Sequence, residues 1–444
     1  MSHYIAITEA ERAAMLQAVG VADTADLFVD VPAAKRFPTL NLPAPLSEPE
    51  LVRELLAMSG QNAHAHSHPI FLGAGAYNHF VPAAVDQILR RGEFYTAYTP
   101  YQPEISQGTL QSIFEYQSLI TSLTGMEIAN ASHYDGATAL AEAAIMALNV
   151  VRGRRKIIVA RNVNPQYRAV LRTYLQALDV TITGDETPGS GVAEALAQVD
   201  DQTALVILQS PDFMGQIHDL RGVAEQVQAQ GALLCLHFDP IALGLFQTPG
   251  EVGADIATAE GQPLGIGLNF GGPYLGIFTT KQKHVHKIAG RIVGITKDVD
   301  GQLAYVLTLR AREQDIRRER ATSNICTNQA LMALAATVYM SLMGKQGMHR
   351  VAELCYHRAH YAAAEIAKLP GYRVLTSGTF FKEFAVALPR PAAEINAVLR
   401  SQGIIGGYDL ANDEPQLGNA MLLAVTEMTS KADIDRLVGV LGGI

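Results

Sequence analysis

Apolar residues in this chain gather in short unbroken runs separated by amphipathic stretches. IIVARN (157–162), ALVILQS (204–210) and LLCLHFDP (233–240) have the length and continuity of strands buried on both faces. Helical stretches at 107–125, 136–152, 165–178 and after Asp219 separate or precede them. Strands alternating with helices predict parallel pairing, with helices on both faces of one sheet. ADIATAEGQP (254–263) adds a strand, and LNFGGPYLGIFTT (268–280) is a glycine turn leading into another. After about residue 345 the pattern changes. A long helix at 346–369 leads to strands in YRVLT and FFKEFAVAL, a helix from Ala392, a strand in MLLAVTE and a last helix from near Thr429. This predicts a smaller α+β domain. The apolar run ALMALAATVYMSLM (330–343) is too short to span a bilayer and reads as a buried helix.

The first quarter follows neither pattern. Thr8 and Glu11 form a capping box that opens a helix through Val19, and Ser47 with Glu50 opens another. Between them DVPAAKRFPTLNLPAPL (30–46) carries four prolines in seventeen residues. Such a segment should lie extended across a neighbouring surface. The expected organisation is an N-terminal arm with helices over 1–106, a large α/β domain over 107–344 and a small α+β domain over 345–444. The chain shows no internal repeat and no low-complexity tract.

Composition narrows the function. With 48% hydrophobic and 17% charged residues, the 444-residue chain buries much area. A net charge of −9 leaves no basic footprint for nucleic acid. Cys235, Cys326 and Cys355 are an odd, widely spaced set, suited to a reducing cytoplasm and without a CxxC metal site. Thr8, Glu9, Glu11 and Arg12 interrupt any apolar leader, so no secretory signal is expected.

Several loops are candidates for chemistry. FLGAGAYNHF (71–80) places Gly73 and Gly75 before an aromatic and a histidine; it suits close approach to a ligand or a plain tight turn. In EFYTAYTPYQPEISQG (93–108), Tyr95, Tyr98, Tyr101 and Glu104 stand near helical spacing, but Pro100 and Pro103 forbid a long helix. The tyrosines suit a wet cavity or an interface loop. NASHYDGATALAEAA (130–144) feeds a helix whose start, with His133, Asp135, Gly136 and Thr138, suits an anion site or ordinary capping by Asp135. Asp239 closes an apolar strand, where ligands of open α/β sheets bind. His64, His66 and His68 alternate, as in a metal patch on a strand or a solvated loop. Arg317, Arg318 and Arg320 suit an acidic partner surface or pairing with Glu313, Asp315 and Glu319.

One absence bears on all of this. From Ile157 to Thr280 there is no lysine. In pyridoxal-phosphate enzymes of the aminotransferase-like type, an acid placed like Asp239 holds the pyridine nitrogen, and a later lysine forms the Schiff base. Here the acid is present and the lysine is not. The segments YIAITEAERAAML, FLGAGAYNHFVPAAV, EFYTAYTPYQPEISQGTLQSIFEYQSLI, ANASHYDGATALAEAA, GADIATAEGQPLGIGLNFGGPYLGIF and RRERATSNICTNQAL together closely resemble the P-protein family of the glycine cleavage system. The likeness is to the alpha half of its two-chain form and runs nearly end to end. The His64–His68 tract is the clear departure.

The resemblance implies an α/β aminotransferase-like fold (pyridoxal-phosphate transferase fold type I), with a mainly parallel central sheet, an extended N-terminal arm and a small C-terminal α+β domain. It implies a glycine dehydrogenase (decarboxylating) activity exerted only in an α2β2 assembly. There the beta subunit holds pyridoxal phosphate covalently, on a lysine within HKTF…HGGGGPG. Glycine loses carbon dioxide, and its aminomethyl group passes to the lipoyl arm of H protein. Laying GGPYLG on the glycine run puts Gln262 about where the lysine would stand, so this chain supplies no Schiff-base lysine. Tyr95, Tyr98, Tyr101, Glu104, Asn324 and Thr327 would line the site at the subunit interface. His133, Asp135, Gly136, Asp239, Gly271 and Gly272 would touch the partner's cofactor or be vestigial. Two other readings stay open: a self-sufficient enzyme using Lys281 or Lys283, and a pure scaffold.

Overall fold

The computed structural model describes residues 6–444; positions 4 and 5, within the YIAITEAERAAML segment, lie outside them. Two compact units emerge, one ending at Asn62 and one spanning Ala63–Ile444. In the first, both expected capping boxes form. The Thr8 hydroxyl accepts from the Glu11 N–H at 3.2 Å, and the Glu11 carboxylate accepts from the Thr8 N–H at 2.7 Å. That box starts the helix Glu9–Val19, which stops at Gly20 with φ +84°. Glu50 accepts from the Ser47 N–H at 2.9 Å and starts Glu48–Ser59. Neither helix buries a residue.

The second unit is built on a seven-stranded sheet. Its strands are β1 (Ile128–Ala129), β2 (Lys156–Val159), β3 (Thr181–Thr183), β4 (Thr203–Ser210), β5 (Leu233–Phe238), β6 (Ile256–Glu260) and β7 (Gly276–Thr280). Their spatial order is β1-β7-β6-β5-β4-β2-β3. From β3 to β6 every pairing is parallel. All six residues of β5 are buried, as its unbroken apolar run demands. β7 pairs antiparallel with both neighbours. The cause is local: residues 261–275 contain no α-helix, and a parallel return needs a crossover that is usually helical.

Two features were not legible in the sequence. β3 is three residues long and half exposed. β8 (Ile292–Lys297) and β9 (Leu303–Thr308) form a separate hairpin. The buried helix expected at 330–343 and the long helix at 346–369 are two helices in succession over Ala330–Ile366, divided at Gly344, whose φ of +57° and ψ of −176° are not helical. The C-terminal part carries β10 (Arg373–Val374), β11 (Glu383–Ala387), β12 (Tyr408–Asp409) and β13 (Ala420–Ala424). These form an antiparallel sheet ordered β10-β11-β13-β12. Residues 69–80 connect this sheet to the large one. Phe71 N–H donates to Ile405, and Phe71 O accepts from Ala424. Gly73 is glycine for packing: a Cβ there would sit 2.4 Å from Glu383 Oε1 and 2.5 Å from Ala424 Cβ.

Candidate functional site

The carboxyl ends of β4, β5 and β6 converge on one small cavity, between the large sheet and the start of β11. Asp239 follows β5 directly and enters it. One carboxylate oxygen accepts from the Ile241 and Ala242 N–H groups at 2.8 and 3.2 Å. The other meets Lys382 Nζ at 2.6 Å. The Lys382 side chain is 2% exposed and that of Asp239 13%, so this ion pair is largely dry. Burial works to raise the Asp239 pKa, but the ammonium and its hydrogen bond outweigh it, and the net shift is downward.

Lys382 sits at the centre of a chain of groups. Its ammonium lies 3.6 Å from the centroid of the Tyr77 ring. It also lies 3.1 Å from His79 Nε2. An ammonium can only donate, so Nε2 accepts and the ring proton sits on Nδ1, which faces Glu427 Oε2 at 2.7 Å. Burial opposes ionisation of Glu427, but hydrogen bonds from His79 Nδ1–H and the Phe80 N–H shift its pKa downward. The Cys355 thiol donates to the same carboxylate at 3.4 Å. Beside Lys382, Glu383 accepts from the Tyr77 hydroxyl at 2.7 Å and from the Ala74 N–H at 2.7 Å. Burial pushes its pKa up to about 7. The loop FLGAGAYNHF thus serves the site through Tyr77 and His79, while its glycines serve packing.

A second carboxylate closes the other end. Glu260, the last residue of β6, accepts from the N–H groups of Gln262 (2.9 Å), Leu275 (3.1 Å) and Gly136 (2.9 Å). Burial pushes its pKa up to about 8 despite those donors. Gly136 opens the helix Gly136–Val150, and Asp135 caps that helix by accepting from the Thr138 N–H at 2.8 Å. Of the two readings for this helix start, ordinary capping is the arrangement found, with Glu260 as a second cap. His133 packs on Phe278, ring centroids 5.0 Å apart, with both ring nitrogens buried and without partners. Gln262 is fully buried. Its amide oxygen accepts from the Tyr77 N–H at 2.9 Å, and its amide nitrogen donates to Tyr77 O and Ile266 O at 2.9 and 2.7 Å.

The remaining sequence candidates lie elsewhere. Tyr95 and Tyr98, 67% and 84% exposed, line a cavity of about 230 Å³ with Thr327, Asn328 and Gln329. Tyr101 turns away from it. Its hydroxyl takes a hydrogen bond from Arg291 Nη2 at 3.0 Å, with the Arg291 and Arg310 guanidinium groups within 5.4 and 5.0 Å of its ring centroid. Arg291 also donates to Thr327 Oγ1 at 3.2 Å and so ties that loop to Tyr101. Glu104 and Asn324 are exposed. Gly271 and Gly272, with φ +101° and +147°, form an exposed turn. Of the arginine run, Arg320 pairs with Glu319 at 3.8 Å. His64, His66 and His68 occupy a turn held by Ser67, not a strand. Lys281 and Lys283 pair with Asp255, at the opposite end of β6 from Glu260.

Sequence reasoning missed Lys382, His79, Glu427, Glu260 and Arg291. The signal for Lys382 was present: KE inside FFKEFAVAL puts two charges in an apolar strand, which requires buried partners. Among the described residues no helix is long and apolar enough to cross a membrane.

A family profile described as the glycine cleavage system P-protein matches residues 2–441. A chain from Thermomicrobium roseum described as a probable glycine dehydrogenase (decarboxylating) subunit 1 is 55% identical over 434 residues, 97% of each chain. One of the same description from Moorella thermoacetica is 51% identical over 446 residues, 99% of each. A crystal structure of glycine decarboxylase (P-protein) of the glycine cleavage system, in inhibitor-bound form, superposes with a TM-score of 0.93 at 42% identity over all of both chains. A sphingosine-1-phosphate lyase from Burkholderia pseudomallei shares the fold, with a TM-score of 0.66 at 15% identity over 93% of each chain. The architecture is the aminotransferase-like fold type I, with a mostly parallel central sheet.

Proposed function

This chain belongs to the glycine cleavage system P-protein family, and from that premise we propose how it acts. Its role is that of the first subunit of glycine dehydrogenase (decarboxylating). The observation that carries the reading is a full-length match joined to a lysine-free run from 157 to 280. An enzyme of this fold needs a lysine to hold pyridoxal phosphate, and this chain places none at its own Asp239 other than one locked in an ion pair.

The residues around Asp239 do not fit the cofactor. Their cavity is about 40 Å³, room for about three waters, against ~300 Å³ or more for ordinary ligand pockets. Asp239 is already paired, and the N–H groups of Gly136 and Thr138 are already taken by carboxylates. We therefore assign the cofactor to the beta subunit of an α2β2 assembly in the cytoplasm. This chain's part is to bind that subunit and wall its site. Tyr95, Tyr98 and Thr327 line one cavity, and Arg291 holds Tyr101 beside the same loop. These are the side chains we assign to glycine or to the lipoyl arm of H protein. The turn at Gly271 and Gly272 has no Cβ to bar close approach by a partner-bound phosphate, although the Gly272 N–H is itself donated to Asn269 O at 3.2 Å.

Two alternatives fare worse. Lys281 Nζ is bound to Asp255 and to Gly253 O at 3.0 and 2.9 Å. It stands a whole strand, roughly 16 Å, from the Asp239 end of the sheet. A pure scaffold has no need of a polar cavity rimmed by two exposed tyrosines. The test is reconstitution with the second subunit and H protein, following carbon dioxide release from carboxyl-labelled glycine. Activity should require both chains, and borohydride reduction followed by peptide mapping should place the pyridoxyl group on the partner. A pyridoxyl-Lys281, or turnover by this chain alone, overturns the reading.

A further inference from the structure

The cavity at Asp239 is small because the chain fills it with its own groups, and those groups take the places of the polar ends of the molecule they exclude. A pyridoxal-type cofactor brings a pyridinium N–H for an acid at the strand end and a phosphate for a helix N-terminus. In this chain a cation, the Lys382 ammonium, lies on the acid at 2.6 Å. A carboxyl group, that of Glu260, lies on the N–H of Gly136 at the start of the helix. Gln262, which the sequence resemblance lays about where the lysine would be, grips the Tyr77 backbone from both sides, and Tyr77 lies over the Lys382 ammonium. The three substitutions are mechanically linked: Gln262 holds Tyr77, Tyr77 covers Lys382, and Lys382 occupies Asp239.

We propose that Lys382 and Glu260 are built-in occupants of this chain's own cofactor cradle, which converts a binding cleft into a fixed ionic clamp between the large sheet and the C-terminal sheet. Lys382 immediately precedes β11, and Asp239 immediately follows β5. His79 and Glu427 extend the clamp to the connecting segment and to the residues beyond β13. The cradle is therefore latent: remove the two occupants and a site for a phosphorylated pyridine is exposed. This rests on the reading that the partner, not this chain, carries the cofactor, and binding to this chain alone separates it from the activity of the assembly.

The probe is pyridoxamine 5′-phosphate, which carries the ring and the phosphate but has no aldehyde to react with surface lysines. Its binding to the purified full chain is followed by equilibrium dialysis. Wild type should show no saturable binding. Lys382→Ala, and more strongly Lys382→Ala with Glu260→Ala, should bind at least about tenfold tighter than wild type. Lys382→Met, which removes the charge but refills the space, should not. Adding Asp239→Asn to the double variant should abolish the gain. Saturable binding by wild type, or a folded double variant that binds no better, overturns the proposal. So does binding that ignores Asp239→Asn. Should the variants fail to fold, the wild-type chain still decides. Acylation mapped by mass spectrometry should find Lys382 at least about tenfold slower than Lys283, and unchanged by added probe, because the amine is sequestered. Surface-like reactivity, or protection by the probe, rejects the clamp.

Discussion

Replacing Lys382 by methionine keeps the apolar stem of the side chain, one atom shorter, and removes the charged ammonium. Asp239 then keeps its two backbone donors but has no cation within reach, in a setting where its partner was 2% exposed. Breaking a buried pair from one side costs about 3–5 kcal/mol, because the surviving charge stays desolvated. Asp239→Asn breaks it from the other side, leaving the ammonium with His79 Nε2 and the Tyr77 face. A similar cost of about 3 kcal/mol or more is expected. The double variant removes both charges together. It should be about as destabilised as one single variant, which puts the coupling at about 3 kcal/mol. The chain has 16 tyrosines and no tryptophan, so urea unfolding is followed by tyrosine fluorescence and far-ultraviolet circular dichroism. Coincident transitions are required before energies are compared.

The pH dependence adds a sign. The folded pKa of Asp239 is depressed, so its contribution is full above the ordinary carboxylate range and is lost as acid approaches the folded value. The coupling should therefore hold from pH 8 to pH 5 and fail only below about pH 4. A Lys382→Met cost under about 1 kcal/mol, or additive single effects, would show that the pair is solvated and does not clamp the two sheets.

Three more outcomes are expected. Glu142 is buried, with Oε1 accepting from the Ser323 hydroxyl at 2.8 Å and Oε2 unpartnered, and burial pushes its pKa from 4.5 to about 7. A raised acid favours the folded state while protonated, so its penalty grows as pH rises from 4.5 through 7, to about 3 kcal/mol; Glu142→Gln should remove that part of the slope in urea titrations between pH 5 and pH 8. Tyr95→Phe and Tyr98→Phe should each lower turnover of the reconstituted assembly about three- to tenfold, the worth of one hydrogen bond, with the assembly mass unchanged by light scattering; unaltered kinetics for both would remove these residues from the site. Gly272→Val should raise the pyridoxal-phosphate requirement of the assembly about tenfold with its mass intact, and normal cofactor affinity would reduce GGPYLG to a plain turn.

Most of the large sheet was legible because its strands are unbroken apolar runs and its helices are capped by recognisable residues. β7 reversed direction for a reason the pattern does not contain, namely the lack of a helix in the connection before it. The hairpin at 292–308 was missed, and its outer half is exposed, so its strands carry little apolar signal. The division between the helices expected at 330–343 and 346–369 was legible, because Gly344 takes the positive φ, +57°, that ends the first of them.

The site was harder, and the reason is instructive about absences. A lysine-free run from 157 to 280 shows which residue is absent; it does not show what stands in its place. The replacement came from two segments remote from each other, each unremarkable alone. Lys382 is one charge in an apolar strand, Glu260 one acid at a strand end, and Gln262 one amide in a turn. Their meaning depends on Asp239, because an unpaired carboxylate in a buried cleft must find a cation, be protonated or destabilise the fold. Asp239 requires a cation at that point, and Lys382 meets the requirement at 2.6 Å. The acid and the lysine are thus one electrostatic unit. Loss of the acid should therefore cost nothing further once Lys382 is also replaced. Asp239→Asn paired with Lys382→Met should be no less stable than Asp239→Asn with the lysine left in place.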